Sequence, residues 1–124
     1  MYRNTYISPK CKTYIETPFR LFHPPPQGRK PMLEREVEKA LIHQVRKHGG
    51  IAPKLTSPNN AGMPDRLIIL PPGKVCFVEL KAPGKKPRPL QVRQMERLTQ
   101  LGCMVRVIDH PNQIQELIHE IQAA

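Results

Sequence analysis

Apolar residues along the chain recur with periods that change from block to block. Over residues 33–48, Val37, Leu41, Ile42 and Val45 recur at helical spacing, and Gly49-Gly50 supplies a stop. Residues 51–55 read as a short edge strand, because Pro53 has no N–H to give to a central ladder. A polar loop over residues 56–63 follows, with Pro58-Asn59-Asn60 and Gly62 as turn formers. Two short apolar runs, residues 67–70 and 75–78, flank Pro71-Pro72-Gly73, the pattern of a β-hairpin with a short glycine-containing loop. Residues 90–101 predict a second helix with Met95, Leu98 and Leu101 inward and Gly102 ending it. Residues 103–108 form a strongly apolar strand, and Ile114, Leu117, Ile118 and Ile121 mark a final amphipathic helix entered through Pro111. The order helix, strand, strand, strand, helix, strand, helix predicts a mixed sheet covered on its faces, an α/β domain.

The hairpin carries the candidate chemistry. With residues 71–73 as the loop, Leu70 pairs with Lys74, and counting back along both strands sets Asp65 opposite Glu79. Side chains alternate along a strand, so Asp65, Glu79 and Lys81 share one face and Leu80 points to the other. Directly paired residues have Cβ atoms about 5 Å apart, and like charges placed there destabilise a sheet. A hard divalent cation removes that penalty, since Mg²⁺ takes one or two carboxylates together with water and substrate oxygens. The neighbouring Lys81 ammonium could hold a nucleophilic water or stabilise charge developing on a phosphate. A surface hairpin with scattered charges is the competing reading.

Composition narrows the partner. The 124 residues place six of fifteen prolines before position 32, which divides the chain into a basic, Pro-rich extension at 1–31 and one small domain at 32–124. The extension mixes Tyr2, Tyr6, Tyr14, Phe19 and Phe22 with six Lys/Arg and a single Glu16, too little apolar surface for a core. A competing expectation for the extension is that translation starts at Met32, where the domain begins. A net charge of +10 and a pI near 10 imply a polyanionic partner, most simply nucleic acid. Charge alone does not separate a nuclease from a basic binding module, a ribosome-associated protein or a membrane-surface protein. No apolar run approaches the eighteen or so residues of a membrane span, and the N-terminus lacks an apolar signal core, so a cytoplasmic protein is expected. Cys11, Cys76 and Cys103 have neither disulfide nor zinc spacing; Cys76 and Cys103 are expected inside apolar strands. The five histidines show no ligand spacing.

Charge is also patterned. Between Glu79 and Glu96 there is no acid, whereas Lys81, Lys85, Lys86, Arg88 and Arg93 are all basic. Pro83, Pro87 and Pro89 predict an extended segment that sets these cations in a row beside the carboxylates, where they and Lys54 could contact phosphates without sequence preference. A solvated charge run would look the same. Gln91, in the first turn of the second helix, could reach the substrate or Lys81, or could be simply an exposed helix residue. In the first helix, Glu34 and Glu38 lie four apart on the stripe that includes Val37 and Leu41; acids near a helix N-terminus are also favoured by the dipole alone.

Pro64-Asp65, a short hairpin and then Glu79-Leu80-Lys81 resembles the PD-(D/E)xK nuclease motif. The wider pattern, a Glu-rich first helix ending in Gly-Gly and then KLTSPNNAGMPDRLIILPPGKVCFVELKAPGKKPRPLQ, is similar to a stand-alone VRR-NUC domain of the phage and bacterial type, over about residues 32–121. The resemblance implies a restriction-endonuclease-like core and a metal-dependent nuclease that hydrolyses phosphodiester bonds in DNA. It assigns Mg²⁺ or Mn²⁺ to Asp65 and Glu79, with the Leu80 carbonyl as a further ligand, and makes Lys81 catalytic. A first-helix acid completes the site in the resembling family; Glu38 is the first choice and Glu34 the alternative. A Gln at the place of Gln91 is common there. Branched or junction DNA as substrate and a homodimer are further expectations of the resemblance; a basic nucleic-acid-binding module that has lost activity is the other reading.

Overall fold

The computed structural model describes residues 30–124, so the 1–31 extension lies outside the described residues except for its last two positions. Helix α1 (Glu34–Lys47) begins where the Glu36 carboxylate accepts the Leu33 N–H at 2.6 Å, and it buries the single stripe Val37, Leu41 and Val45. Strands β1 (Arg66–Leu70) and β2 (Lys74–Leu80) form the hairpin, with Leu70 opposite Lys74 and Arg66 opposite Val78, the register that a three-residue loop requires. Helix α2 (Pro89–Gln100) leads to β3 (Val105–Ile108), which lies parallel to β2. A 3₁₀ turn (Pro111–Gln113) then opens α3 (Ile114–Ala123). The three-stranded sheet has the order β1-β2-β3 and is mixed, as expected.

Alternation along β2 divides the molecule into two layers. Cys76, Val78 and Leu80, with Ile68, Leu70 and Ile108, pack against Val37 and Leu41 of α1 and Ile114, Leu117, Ile118 and Ile121 of α3. On the opposite face Val105 and Val107 pack with Val92 and Met95 of α2 and with the half-buried Phe77. Glu79, two residues after Phe77, therefore emerges on the α2 face. The first layer also encloses an ion pair, Arg106 Nη2 to Glu120 Oε2 at 3.2 Å, and Arg106 Nη1 donates to the Val105 carbonyl at 2.7 Å.

Several expectations are corrected. Residues 51–55 lie antiparallel beside β1 but form two isolated bridges, Ile51 with Ile69 and Lys54 with Arg66, instead of a strand. The Pro53 carbonyl accepts the Leu67 N–H at 3.1 Å, and proline has no N–H to return, so the ladder breaks there. Leu101, expected inward, is 72% exposed, because α2 ends one residue earlier. The Cys103 N–H bonds back to the Leu98 carbonyl at 3.0 Å, so Cys103 closes the helix and is half-buried outside the strand. The proline-rich segment after β2 is not extended throughout. Lys85 N–H donates to the Ala82 carbonyl at 3.0 Å, and Gly84 has φ +80°, a tight turn that Pro83-Gly84 favours. Among the described residues no helix is long and apolar enough to cross a membrane.

Candidate active site

The C-terminal end of β2 meets the residue preceding β1. Asp65 Oδ2 accepts the Leu80 N–H at 2.9 Å, which fixes that carboxylate against the end of the strand. Glu79 is 1% exposed, and its Oε2 accepts from Gln91 Nε2 at 2.7 Å and from Lys81 Nζ at 3.0 Å. Its Oε1 is buried with no hydrogen-bond partner among the described residues. Burial, reinforced by the Asp65 charge and opposed by Lys81, pushes the Glu79 carboxyl up to about 7. Two carboxylates and one ammonium thus share a site that is short of positive charge.

The helix acids divide between two environments. Partial burial and then the Asp65 charge hold the Glu34 carboxyl above its ordinary range, with Lys81 opposing and Glu38 adding a smaller repulsion. Glu34 therefore lies in the field of the carboxylate site although it is exposed. Glu38 pairs instead with Arg66, whose Nη2 is 3.2 Å and Nε 3.3 Å from Oε2. Arg66 Nη1 also donates to the Ala52 carbonyl at 2.8 Å, so Glu38 takes part in tying the interrupted edge to α1.

The surroundings hold these groups in place. Gln91 Oε1 accepts the Arg88 N–H at 2.8 Å, so the same amide that reaches Glu79 satisfies an otherwise orphan donor at the start of α2. Sequence reasoning aimed Gln91 at the substrate or at Lys81; the structure turns it to Glu79. Gly62 packs on α2 with φ +85°, and a Cβ there would stand 2.9 Å from Leu90 Cγ, so the loop that delivers Asp65 needs glycine at this point. Gln94 Nε2 anchors the same loop through the Ala61 carbonyl at 3.1 Å. Lys54, Lys85, Lys86, Arg88 and Arg93 are all exposed. One residue was missed: Asp109, just after β3, is buried and accepts the Gly84 N–H at 3.2 Å. Its signal in the sequence was an acid directly following an apolar strand.

Among the described residues no group of three or more His, Cys, Asp or Glu side chains is arranged to hold a metal. The pair Asp65 and Glu79 suits a hard divalent cation nonetheless, since such an ion needs only one or two carboxylates if water and substrate oxygens complete its shell. Glu79 Oε1, buried and without a partner among the described residues, is an acceptor of the kind that a cation would satisfy.

A mixed sheet covered on both faces, ending in opposed carboxylates and a lysine, defines an α/β domain of the PD-(D/E)xK type. No family model matches the sequence. The chain is 55% identical over 76 residues to a protein named "Putative nuclease p44" from Acyrthosiphon pisum secondary endosymbiont phage 1, a match covering 61% of this chain and 82% of that protein. Among solved structures it is similar to one described as a VRR_NUC domain, at 37% identity and a TM-score of 0.65, covering 69% of this chain and 94% of the other. The chain belongs to the VRR-NUC domain family.

Proposed function

We propose that the protein is a divalent-metal-dependent nuclease that hydrolyses phosphodiester bonds in DNA. The observation that carries this reading is the buried Glu79 carboxylate, held by Gln91 and Lys81, with Oε1 unpartnered among the described residues and the Asp65 charge beside it. A fold gains no stability from that arrangement, whereas a cation-binding site requires it. Asp65 and Glu79 would hold Mg²⁺ or Mn²⁺, with the Leu80 carbonyl as a further ligand. When bound, such an ion lowers the pKa of water and offsets phosphate charge.

The remaining roles belong to the chain's own groups. Lys81 Nζ, at 3.0 Å from Glu79 Oε2, both neutralises that carboxylate and presents a cation to the attacked phosphoryl group or its attacking water. Gln91 fixes the Glu79 side chain so that Oε1 stays available. For the first-helix acid, the coupling of Glu34 to Asp65 and Lys81 supports Glu34, while the ion pair of Glu38 with Arg66 supports a structural role for Glu38. The exposed cations of residues 85–93 and Lys54 would contact the DNA backbone, which agrees with a net charge of +10.

Preference for branched or junction DNA, and a homodimer presenting two sites to its arms, complete the proposal. Labelled linear, flapped and four-way-junction DNAs, incubated with Mg²⁺, Mn²⁺ or chelator, test it alongside Lys81→Ala. Metal-dependent cutting that Lys81→Ala loses supports a nuclease, and faster cutting of the branched forms supports the preference. Salt-sensitive binding without cutting on every substrate would instead identify a catalytically silent nucleic-acid-binding module.

A further inference from the structure

The Asp109 carboxylate is a buried charged group that the proposed hydrolysis does not use, and we infer that it positions the cationic turn against the DNA backbone. Asp109 is 5% exposed and follows β3 directly. Its Oδ2 accepts the Gly84 N–H at 3.2 Å. The residue before it, Ile108, accepts the Lys81 N–H on its carbonyl at 3.0 Å. Two consecutive residues at the end of β3 therefore grip two points of the chain three residues apart, Lys81 at the carboxylate site and Gly84 in the turn.

Asp109 is itself immobilised. Gln113 Oε1 accepts both the Asp109 N–H at 2.9 Å and the His110 N–H at 3.2 Å, so the 3₁₀ turn holds the backbone that carries the carboxylate. The gripped turn is closed by the Lys85-to-Ala82 hydrogen bond, and beyond it Pro87 is buried and Arg88 caps α2 through Gln91. Between these anchors Lys86 and Arg88 are exposed. A cation on a loose loop must be ordered when it meets a phosphate, whereas one on a pinned turn has already lost that freedom. Asp109 thus acts through the loop: it touches neither phosphate nor the carboxylate pair, and its effect falls on affinity and register.

This inference rests on the proposed function for its ligand, and its test does not depend on cleavage. Binding of the full-length protein to a labelled linear duplex is measured in chelator over a range of salt concentrations, for wild type, Asp109→Ala, Asp109→Asn, Lys86→Gln/Arg88→Gln, and the combination with Asp109→Ala. Asp109→Ala is expected to raise Kd about fivefold, the equivalent of one lost hydrogen bond, and to reduce the salt dependence. Asp109→Asn, which keeps an acceptor oxygen, is expected to bind like wild type. In the Lys86→Gln/Arg88→Gln background, Asp109→Ala should change Kd less than about twofold.

An unchanged Kd and salt slope in Asp109→Ala, or an equal loss with and without the two loop cations, would overturn the inference. Should Asp109→Ala fail to fold, amide exchange of Gly84 in the wild type decides: protection supports the anchor, and exchange at the rate of an open turn refutes it. A wild type that binds no DNA at all counts against the proposed function instead.

Discussion

The Gln91 amide donates to Glu79 Oε2 at 2.7 Å and accepts the Arg88 N–H at 2.8 Å, so one side chain joins the buried carboxylate to the first turn of α2. Gln91→Ala is expected to lower metal affinity or turnover about 10- to 100-fold, the usual cost of losing a group that orients a metal ligand. It should also destabilise the protein by about 1 kcal/mol through the lost cap. Cleavage kinetics and thermal melting read the two effects separately; unchanged kinetics would show that Glu79 needs no such support.

The Glu79 carboxyl, held at about 7 by burial and by Asp65, has an ordinary value of 4.5 in an unfolded chain. Between those values the folded protein binds the extra proton, so the metal-free protein loses stability as pH rises from about 4.5 to about 7, on the order of 3 kcal/mol in all. A cation that binds the ionised pair acts in the opposite direction. Mn²⁺ should therefore raise the melting temperature more at pH 8 than at pH 5.5, as scanning fluorimetry with and without chelator would show. An equal increase at both values would mean that Glu79 is not among the ligands.

Glu34 and Glu38 are expected to separate cleanly. Glu34→Gln should reduce cleavage at least tenfold with little change in melting, because its carboxylate is in the field of Asp65 and Lys81. Glu38→Gln should cost about 0.5–1 kcal/mol of stability through the weakened pair with Arg66 and leave cleavage near wild type. The reverse outcome would return the catalytic role to Glu38.

Away from the site, Glu120→Ala leaves Arg106 as a buried charge without its carboxylate partner, and is expected to cost about 3–5 kcal/mol. Chemical denaturation measures this directly, and a loss below about 1 kcal/mol would mean that the guanidinium reaches solvent.

The hairpin was legible because its loop length sets its register: a three-residue connection pairs Leu70 with Lys74, and the alternation of side chains then gathers Asp65, Glu79 and Lys81. The helices were legible from the period of their apolar residues, and α1 and α2 begin and end within about one residue of the expected positions. What escaped depended on hydrogen bonds, local or distant, that the period of apolar residues does not report. Nothing in the order of residues shows that Cys103 closes α2 and leaves Leu101 exposed, or that Asp109 will meet Gly84 twenty-five positions away. The helix acids escaped for a similar reason. Glu34 and Glu38 share a stripe, and only the position of Arg66 on the neighbouring strand distinguishes them.

The most direct test of the central claim is cleavage of a labelled four-way junction by wild type and Asp65→Asn across a titration of Mn²⁺. Asp65→Asn keeps an acceptor for the Leu80 N–H and so should melt near wild type while removing one of the two charges offered to the ion. Cleavage that rises with Mn²⁺ in the wild type, vanishes in chelator and falls at least 100-fold in Asp65→Asn is the predicted result. Cleavage by Asp65→Asn at the wild-type rate, or cleavage by the wild type that persists in chelator, would contradict it.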